Sequence, residues 1–332
     1  MELILYRLDL KLDLGRIKRI VISILMFFVL LSTAQSQQLL SNKSYQLGWD
    51  NDVFMMTDHY YTQGMVFGSY HPFFKYNPVN LFLLKPKDYS KIAFGFSGYQ
   101  KTYTPKDINS DEVQYADRPY AGVLIFTSHS RAANEEKGWI FNTELDIGVM
   151  GPASGAGQVQ YHYHELTENQ LPNGWHHQQY NWPVLNYNFE ASKMIYSSSL
   201  IDLYAKGSTR IGTLHDDASV GLLFRFGKMD SYMQTLGLPL LGSGANWQMY
   251  YNAEPTLSVV GYNATLMGGW YRNTKIHYVE FNDMSKVVGR FRSGFGLSYK
   301  SFGLLFDVIL QSKEFKEGTH HWYTSTKLFL TF

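Results

Sequence analysis

Trp139-Ile140-Phe141-Asn142-Thr143-Glu144-Leu145-Asp146-Ile147-Gly148-Val149-Met150 decides the fold. Ile140, Asn142, Glu144, Asp146 and Gly148 alternate with Phe141, Leu145, Ile147 and Val149. A period of two is a β-strand, and its two faces differ here: one is apolar, the other largely polar and acidic. A strand in a soluble sheet would put such an apolar face against a core. A strand in a membrane barrel puts it against lipid and turns the polar face to a wet lumen.

The same pattern recurs outward from this stretch in both directions. Runs with strand character are 44–54, 60–70, 89–103, 120–129, 186–196, 200–212, 218–226, 248–260, 264–271, 275–281, 288–299, 303–312 and 319–332. Gly, Asn, Asp and Lys punctuate them, as in 130–137, 261–263 and 313–318. With Trp139–Met150 these make 12 to 14 strand candidates, and single-chain bacterial barrels have even strand numbers. The expectation is therefore an all-β fold, an antiparallel transmembrane β-barrel of about 12 strands, over residues 37–332. The final segment, Thr324-Ser325-Thr326-Lys327-Leu328-Phe329-Leu330-Thr331-Phe332, places Leu328, Leu330 and Phe332 on one face and ends on an aromatic residue. It resembles the terminal-strand signal read by bacterial barrel-assembly machinery, an expected partner.

The first 36 residues differ from the rest. Arg7, Lys11, Arg16, Lys18 and Arg19 precede an apolar run from Ile20 to Leu31. Small and polar residues follow, with Ala34 and Ser36 at the −3 and −1 positions of a cleavage site. The run is shorter than the ~20 residues that a spanning helix needs. Residues 1–36 therefore read as a signal peptide, and export to the outer membrane follows as an expectation. Five Lys/Arg and three Asp/Glu lie in that segment, which leaves the mature chain 24 basic and 25 acidic residues. Such a balance offers no basic patch, so nucleic acid is not an expected partner. The chain has no cysteine, which excludes disulfides, thiol nucleophiles and Cys-ligated metals. Its 25 Tyr, 22 Phe and 7 Trp suit the aromatic girdles of a barrel in contact with outer-membrane lipid.

Two stretches lack the period, 151–183 and 227–246, and read as loops or short helical excursions at a barrel mouth. Three clusters could carry chemistry. The first is Gly48-Trp49-Asp50-Asn51-Asp52, followed by Asp58-His59-Tyr60-Tyr61-Thr62-Gln63-Gly64. The second is Asp117-Arg118-Pro119-Tyr120-Ala121-Gly122. The third runs from Gly151-Pro152-Ala153-Ser154-Gly155 through Val159-Gln160-Tyr161-His162-Tyr163-His164-Glu165-Leu166 to Gly174-Trp175-His176-His177. Each has a plain reading too: a solvated strand end, or a turn with a surface ion pair at Asp117-Arg118. Asn51 and Asp52 are neighbours, so in a continuous strand they point to opposite faces. An imidazole titrates near working pH, which makes His164 a candidate general base with Asp52 as its carboxylate. Thr62 and Ser154 are candidate hydroxyls. The G-x-S-x-G spacing of a serine hydrolase is absent, which favours an activated water. An oxyanion would need N–H groups, a cation or a metal. In a cysteine-free site rich in Asp, Asn and Glu, Ca²⁺ suits best. Zinc competes through His162, His164, His176 and His177, since imidazole suits it; His162 and His164 would face one way on a strand.

Together these clusters resemble the lipid A 3′-O-deacylase family of outer-membrane β-barrel proteins. The matching elements are Asn51-Asp52, Tyr61-Thr62-x-Gly64, Tyr103-Thr104-Pro105, Asp117 through Gly122, Gly151-Pro152 through Val159-Gln160 to His164, and Gly174-Trp175. The resemblance implies a roughly 12-stranded barrel with its site inside the barrel near the outer-leaflet end. It implies hydrolysis of the ester-linked 3′ acyl group of lipid A in lipopolysaccharide, a carboxylic ester hydrolase activity. It further implies Ca²⁺ and a His/Asp-activated water. By motif match His164 is the base and Asp52 its partner or a site acid, while Asn51 and Thr62 position substrate, water or metal. The family's lysine would fall near Lys106. Metal-ligand candidates are Asp52, Glu165 and Glu168; Gln170 stands where the family carries a glutamate. Alternatives from other classes are an outer-membrane phospholipase-like esterase and a non-enzymatic barrel, a channel or adhesin.

Overall fold

The computed structural model describes residues 38–39, 43–52, 59–238, 247–270 and 276–332. The signal-peptide reading of residues 1–36 lies outside the described residues. Residues 37–332 form one compact unit.

Twelve antiparallel strands close into a barrel. They are β1 (Ser44–Asn51), β2 (Tyr60–Tyr70), β3 (Lys91–Thr104), β4 (Ala121–Asn134), β5 (Trp139–Met150), β6 (Trp182–Ser197), β7 (Ile201–Gly212), β8 (His215–Lys228), β9 (Trp247–Asn263), β10 (Val287–Tyr299), β11 (Phe302–Gln311) and β12 (His321–Thr331). Each pairs with its sequence neighbour. Closure comes from β12 against β1, in register from Thr324↔Asn51 to Thr331↔Ser44. Among the described residues these twelve strands form a closed ring of pairings, which is the condition for a sheet to stand in lipid. Outward positions carry exposed apolar side chains such as Leu47, Phe67, Phe126, Ile147, Leu185 and Leu330. No described helix is long and apolar enough to cross a membrane.

The lumen is polar and internally paired. The Lys206 ammonium lies 2.9 Å from both Glu190 and Glu254. Arg225 reaches Asp202 at 3.0 Å. Glu190, Lys206 and Glu254 line two cavities of about 400 and 460 Å³. Loop residues fill both mouths. At the end that carries the strand termini Ser44 and Thr331, Met233, Leu236 and Leu238 pack on Tyr70, Ala93 and Ala133. At the distal end Leu266, Met267, Val279, Met284 and Phe315 pack on Tyr60.

The described parts of two runs with strand character, 264–270 and 276–281, supply this distal plug instead of strands. Asn263 caps a short helix, Ala264–Met267, by accepting from Thr265 N–H at 3.0 Å. Val279 N–H then donates to the Leu266 carbonyl at 2.9 Å. The apolar side chains that suggested strands are buried against one another in the mouth. Residues 271–275 lie outside the described residues.

Candidate active site on the outer wall of the barrel

The segment after β5 forms the one long helix among the described residues, α1 (Ala156–Leu166). Gly155, in the left-handed region at φ +70°, starts it. Ala156, Gly157, Gln160 and His164 are buried, a stripe at helical spacing on one face. That face lies against the outside of the barrel. Gln100 and Gly122 share the outward parity of the exposed Phe96 and Phe126. Gln100 donates to the Ser154 carbonyl at 2.8 Å. A Cβ on Gly122 would meet Ser154 Oγ at 2.3 Å and the Ala156 Cβ at 2.6 Å. Tyr163, near the helix end, stands edge-on to outward-facing Trp49 of β1 at 6.0 Å. The expectation of a site inside the barrel is therefore corrected: His164 belongs to a helix held on the outer wall. Alternation could not show this, because Asn51 ends β1 and a bulge between Tyr61 and Gln63 breaks the parity beside it.

The motif residues around Tyr120 and Trp175 lock the helix in place. Trp175 donates from Nε1 to Gln160 Oε1 at 2.8 Å and packs its ring, tilted by 54°, against Tyr120 at 5.0 Å. A Cβ on Gly157 would come within 2.8 Å of the Trp175 ring, so the contact needs glycine. Tyr120 O–H donates to the Ile108 carbonyl at 3.2 Å, which ties in the loop 105–120. Arg118 does not form a surface pair with Asp117. It is buried, pairs with Glu314, donates to Thr265 Oγ1 at 2.6 Å and lies 4.4 Å over the Tyr103 ring. Asp117 instead accepts from the N–H groups of Lys106 and Arg118, each at 2.8 Å, and its carbonyl accepts from His277 Nε2 at 2.8 Å.

His164 is buried, and its Nδ1 lies 2.6 Å from the Gln170 carbonyl. A carbonyl only accepts, so Nδ1 carries the proton and Nε2 is the basic nitrogen. The helix end creates this contact. Asn169 N–H donates to the His164 carbonyl at 2.9 Å, and Glu168 takes φ +55°, which turns the chain back so that Gln170 meets the ring. The group that meets Nδ1 is thus a backbone carbonyl.

Asp52 and Thr62 are both buried, at 1% and 2% exposure. Asp52 Oδ2 accepts from His59 N–H at 3.0 Å. Thr62 is the extra residue of the β2 bulge. Its hydroxyl is buried without a hydrogen-bond partner, and so is that of Thr104 on the adjacent strand. Asn51 pairs with Gln63 of β2, and its carbonyl accepts from Thr324 Oγ1 at 2.9 Å. Asn51, Asp52, Thr62 and Thr104 therefore stand side by side on the distal ends of β1, β2 and β3. Lys106 lies beyond them, its ammonium 5.7 Å from the Tyr60 ring centre. Burial pulls the His59 imidazole below its usual range, with Asp117 opposing and Lys106 reinforcing the shift.

Glu165 and Glu168 face solvent, and Glu165 pairs with His162 at 3.4 Å. On a helix, unlike a strand, positions two apart diverge: His162 is exposed and His164 buried. Among the described residues no three His, Cys, Asp or Glu side chains gather as a metal cluster. Sequence reading missed one pair, Ser97 Oγ and His129 Nε2 at 3.0 Å. Both are buried and face the lumen. Ser154 is likewise structural, packed between Gly122 and α1.

A family model described as "Outer membrane protein LpxR" matches residues 20–332. Among solved structures, LpxR from Salmonella typhimurium superposes with a TM-score of 0.70 at 19% identity, covering 86% of this chain and 99% of that one. The translocator domain of the autotransporter NalP from Neisseria meningitidis gives 0.41 at 8% identity, covering 96% and 95%. No curated protein sequence matches the chain.

Proposed function

The chain belongs to the LpxR family of outer-membrane proteins, and from that premise we propose that it is a lipid A deacylase that hydrolyses the 3′ ester-linked acyl group. The observation that carries the mechanism is the hydrogen bond from His164 to the Gln170 carbonyl. It fixes the tautomer in which Nε2 accepts a proton.

In this reading lipid A approaches laterally. The barrel ends with three of its shortest turns, 135–138, 198–200 and 300–301, at the terminal end, and outer-membrane barrels keep short turns in the periplasm. The distal end, with α1, then faces the outer leaflet where lipopolysaccharide resides. A site on the outer wall meets the ester without drawing a lipid through the lumen. His164 Nε2 removes a proton from water as its oxygen bonds to the ester carbonyl carbon. The resulting oxyanion collapses, the bond to the sugar oxygen breaks, and the proton passes from His164 to that oxygen. The products are a free fatty acid and a sugar hydroxyl. Asn51 and the Thr62 hydroxyl orient water or ester, while Asp52 supplies negative charge beside the imidazolium.

Calcium binds through oxygen atoms. The Asp52 carboxylate and the unpartnered hydroxyls of Thr62 and Thr104 are an oxygen donor set that fits it, with one carboxylate and neutral ligands. When bound there, a Ca²⁺ ion would supply positive charge to polarise the ester carbonyl. Glu165 and Glu168, facing solvent, do not join this set.

The plugged mouths and paired lumen disfavour a channel. The lumen placement of Ser97 and His129 disfavours a phospholipase-type serine site. Mass spectrometry of lipid A from outer membranes with and without the protein tests the reading. Loss of one 3′ acyl chain supports it, and unchanged lipid A beside a folded barrel overturns it.

A further inference from the structure

The connection between β2 and β3, residues 71–90, does not cap the lumen. It folds up the outside of the barrel. Asn77 Nδ2 donates to Ser128 Oγ at 2.8 Å, and Thr143 Oγ1 donates to the Leu84 carbonyl at 2.8 Å. Tyr187 O–H donates to the Phe82 carbonyl at 3.0 Å and accepts from Leu84 N–H at 2.9 Å. Ser128, Thr143 and Tyr187 share the outward parity of the exposed Phe126, Ile147 and Leu185. Phe74 and Tyr89 cover Ile92, Phe94 and Ala132, which also face outward. Contact extends to Phe96, whose ring lies 6.3 Å from that of Phe74. Phe96 is five residues above the strand end, so the segment climbs roughly a dozen Å at ~3.3 Å per residue and ~40° tilt. That height brings it beside the outward-facing rings of Phe96 and Phe126, which lie 6.2 Å apart.

Its chemistry suits a lipid interface. Phe73, Tyr76, Leu81, Phe82 and Leu84 are all more than half exposed. Its backbone closes on itself in successive tight turns: Phe74 N–H to His71, Asn77 to Phe74, Asn80 to Asn77 and Phe82 to Val79, each at 3.0 Å. Internal satisfaction of N–H groups is what a low-water environment demands. Residues 71–87 contain Lys75, Lys85 and Lys87 and no acidic residue. The Lys75 ammonium stands 4.6 Å from the Tyr76 ring centre, the arrangement of a snorkelling cation beside an interfacial aromatic. Apolar side chains with lysines alone as charged groups complement an anionic phospholipid surface.

We propose that residues 72–87 form an interfacial collar that inserts into the periplasmic leaflet and binds anionic glycerophospholipid headgroups through Lys75 and Lys87, while the Lys85 ammonium donates inward to the Asn80 carbonyl at 2.8 Å. The site is separate from α1 and lies at the opposite end of the barrel wall.

The chain has no cysteine, so one label can be placed at will. Full-length Phe82→Cys, carrying an environment-sensitive fluorophore, is reconstituted in phosphatidylethanolamine–phosphatidylglycerol vesicles. Phospholipids brominated in the upper acyl chain serve as quenchers. The expected result is strong quenching, several-fold above that of a label at Glu136→Cys in the neighbouring turn. Equal, water-like emission at both positions overturns the collar. Brominated phosphatidylglycerol is expected to quench more than brominated phosphatidylethanolamine at equal content. That preference is expected to vanish in Lys75→Gln/Lys87→Gln; no preference in the parent overturns headgroup binding. Heat-modifiable migration confirms folding, and Leu81→Cys replaces Phe82→Cys if the latter fails to fold.

Discussion

The imidazole Nδ1 of His164 donates to the backbone carbonyl of Gln170, 2.6 Å away, across the left-handed turn that ends α1. The turn and the tautomer are one device: the helix ends where its own chain can hold the ring. Substitutions at His164 separate the two roles. His164→Asn keeps a side-chain N–H for the Gln170 carbonyl and removes the base. His164→Ala removes both. Both are expected to lower deacylation by about 10²–10⁴-fold, the range for loss of a general base. Both are expected to leave heat-modifiable migration unchanged, because the ring lies outside the barrel. Deacylation by His164→Asn at the parent rate would show that His164 only holds the loop.

Glu168 reaches the same turn through its backbone. Its φ of +55° is strained for any residue with a Cβ and free for glycine. Glu168→Gly is therefore expected to stabilise the α1 end by up to ~1 kcal/mol while leaving deacylation intact. Glu168→Val, β-branched, is expected to disturb the turn and lower activity. Slow lipid A turnover by Glu168→Gly, at unchanged protease resistance, would instead assign the carboxylate a direct part.

Trp175 and Gly157 hold the helix to the wall. Trp175→Ala empties the space between Tyr120 and Gln160, and a buried Trp→Ala change costs about 3–5 kcal/mol. That cost falls on the docking of α1 and spares the closed ladder of strands. Limited proteolysis is expected to cut within residues 151–181 in Trp175→Ala and not in the parent, with activity lost in parallel. Gly157→Val, which drives a side chain into the Trp175 ring, should reproduce both effects. A variant that resists protease but is inactive would place Trp175 in contact with substrate.

How far the sequence exposes this architecture depends on burial on one face. Trp139–Met150 and Tyr60–Tyr70 alternate because one side meets lipid and the other a charged lumen, and the strand bounds coincide with the periodic runs. Leu266 and Val279 mislead for the same reason: a mouth plug buries apolar side chains as thoroughly as lipid surrounds them. Asn51, Asp52, Thr62 and His164 stand out as candidates by residue type and by the order they share with the family. Their side of the wall cannot be read that way. It depends on where β1 ends, on a bulge that opposes Thr62 and Gln63 to one partner, and on α1 lying across β3 and β4. Arg118 reads as a surface charge until the partner Glu314, almost two hundred residues away, is brought to it.

Acid should loosen the distal loops before the barrel. Burial holds the imidazoles of His59 and His277 below their usual range, and His277 donates to the Asp117 carbonyl. A histidine whose pKa is depressed on folding favours the folded state in its neutral form. The undocked loops then bind more protons, so docking is complete above an ordinary histidine pKa of about 6.5 and weakens as pH falls below it. Protease cutting within 105–120 and 276–286 is expected to rise between pH 7.5 and pH 5, with barrel migration unchanged. His277→Gln should flatten that pH dependence. Equal cutting at both pH values would show that these rings do not couple docking to protonation.

Thr62 separates stability from function most sharply. The Thr62 hydroxyl is buried and makes no hydrogen bond to another protein group, and a buried oxygen without one costs stability. Thr62→Val keeps the shape and removes the oxygen. It is expected to raise or preserve thermal stability, by up to ~1–3 kcal/mol, while deacylation falls at least about tenfold. Metal removal then distinguishes what the hydroxyl serves. Chelation is expected to stop deacylation by the parent protein, and added Ca²⁺ to restore it. If Thr62 is a ligand beside Asp52, Thr62→Val will need more Ca²⁺ for half-maximal recovery. If it orients ester or water, the Ca²⁺ dependence will match the parent at a lower maximal rate. Full activity of the parent in chelator would show that the protein groups alone carry the hydrolysis.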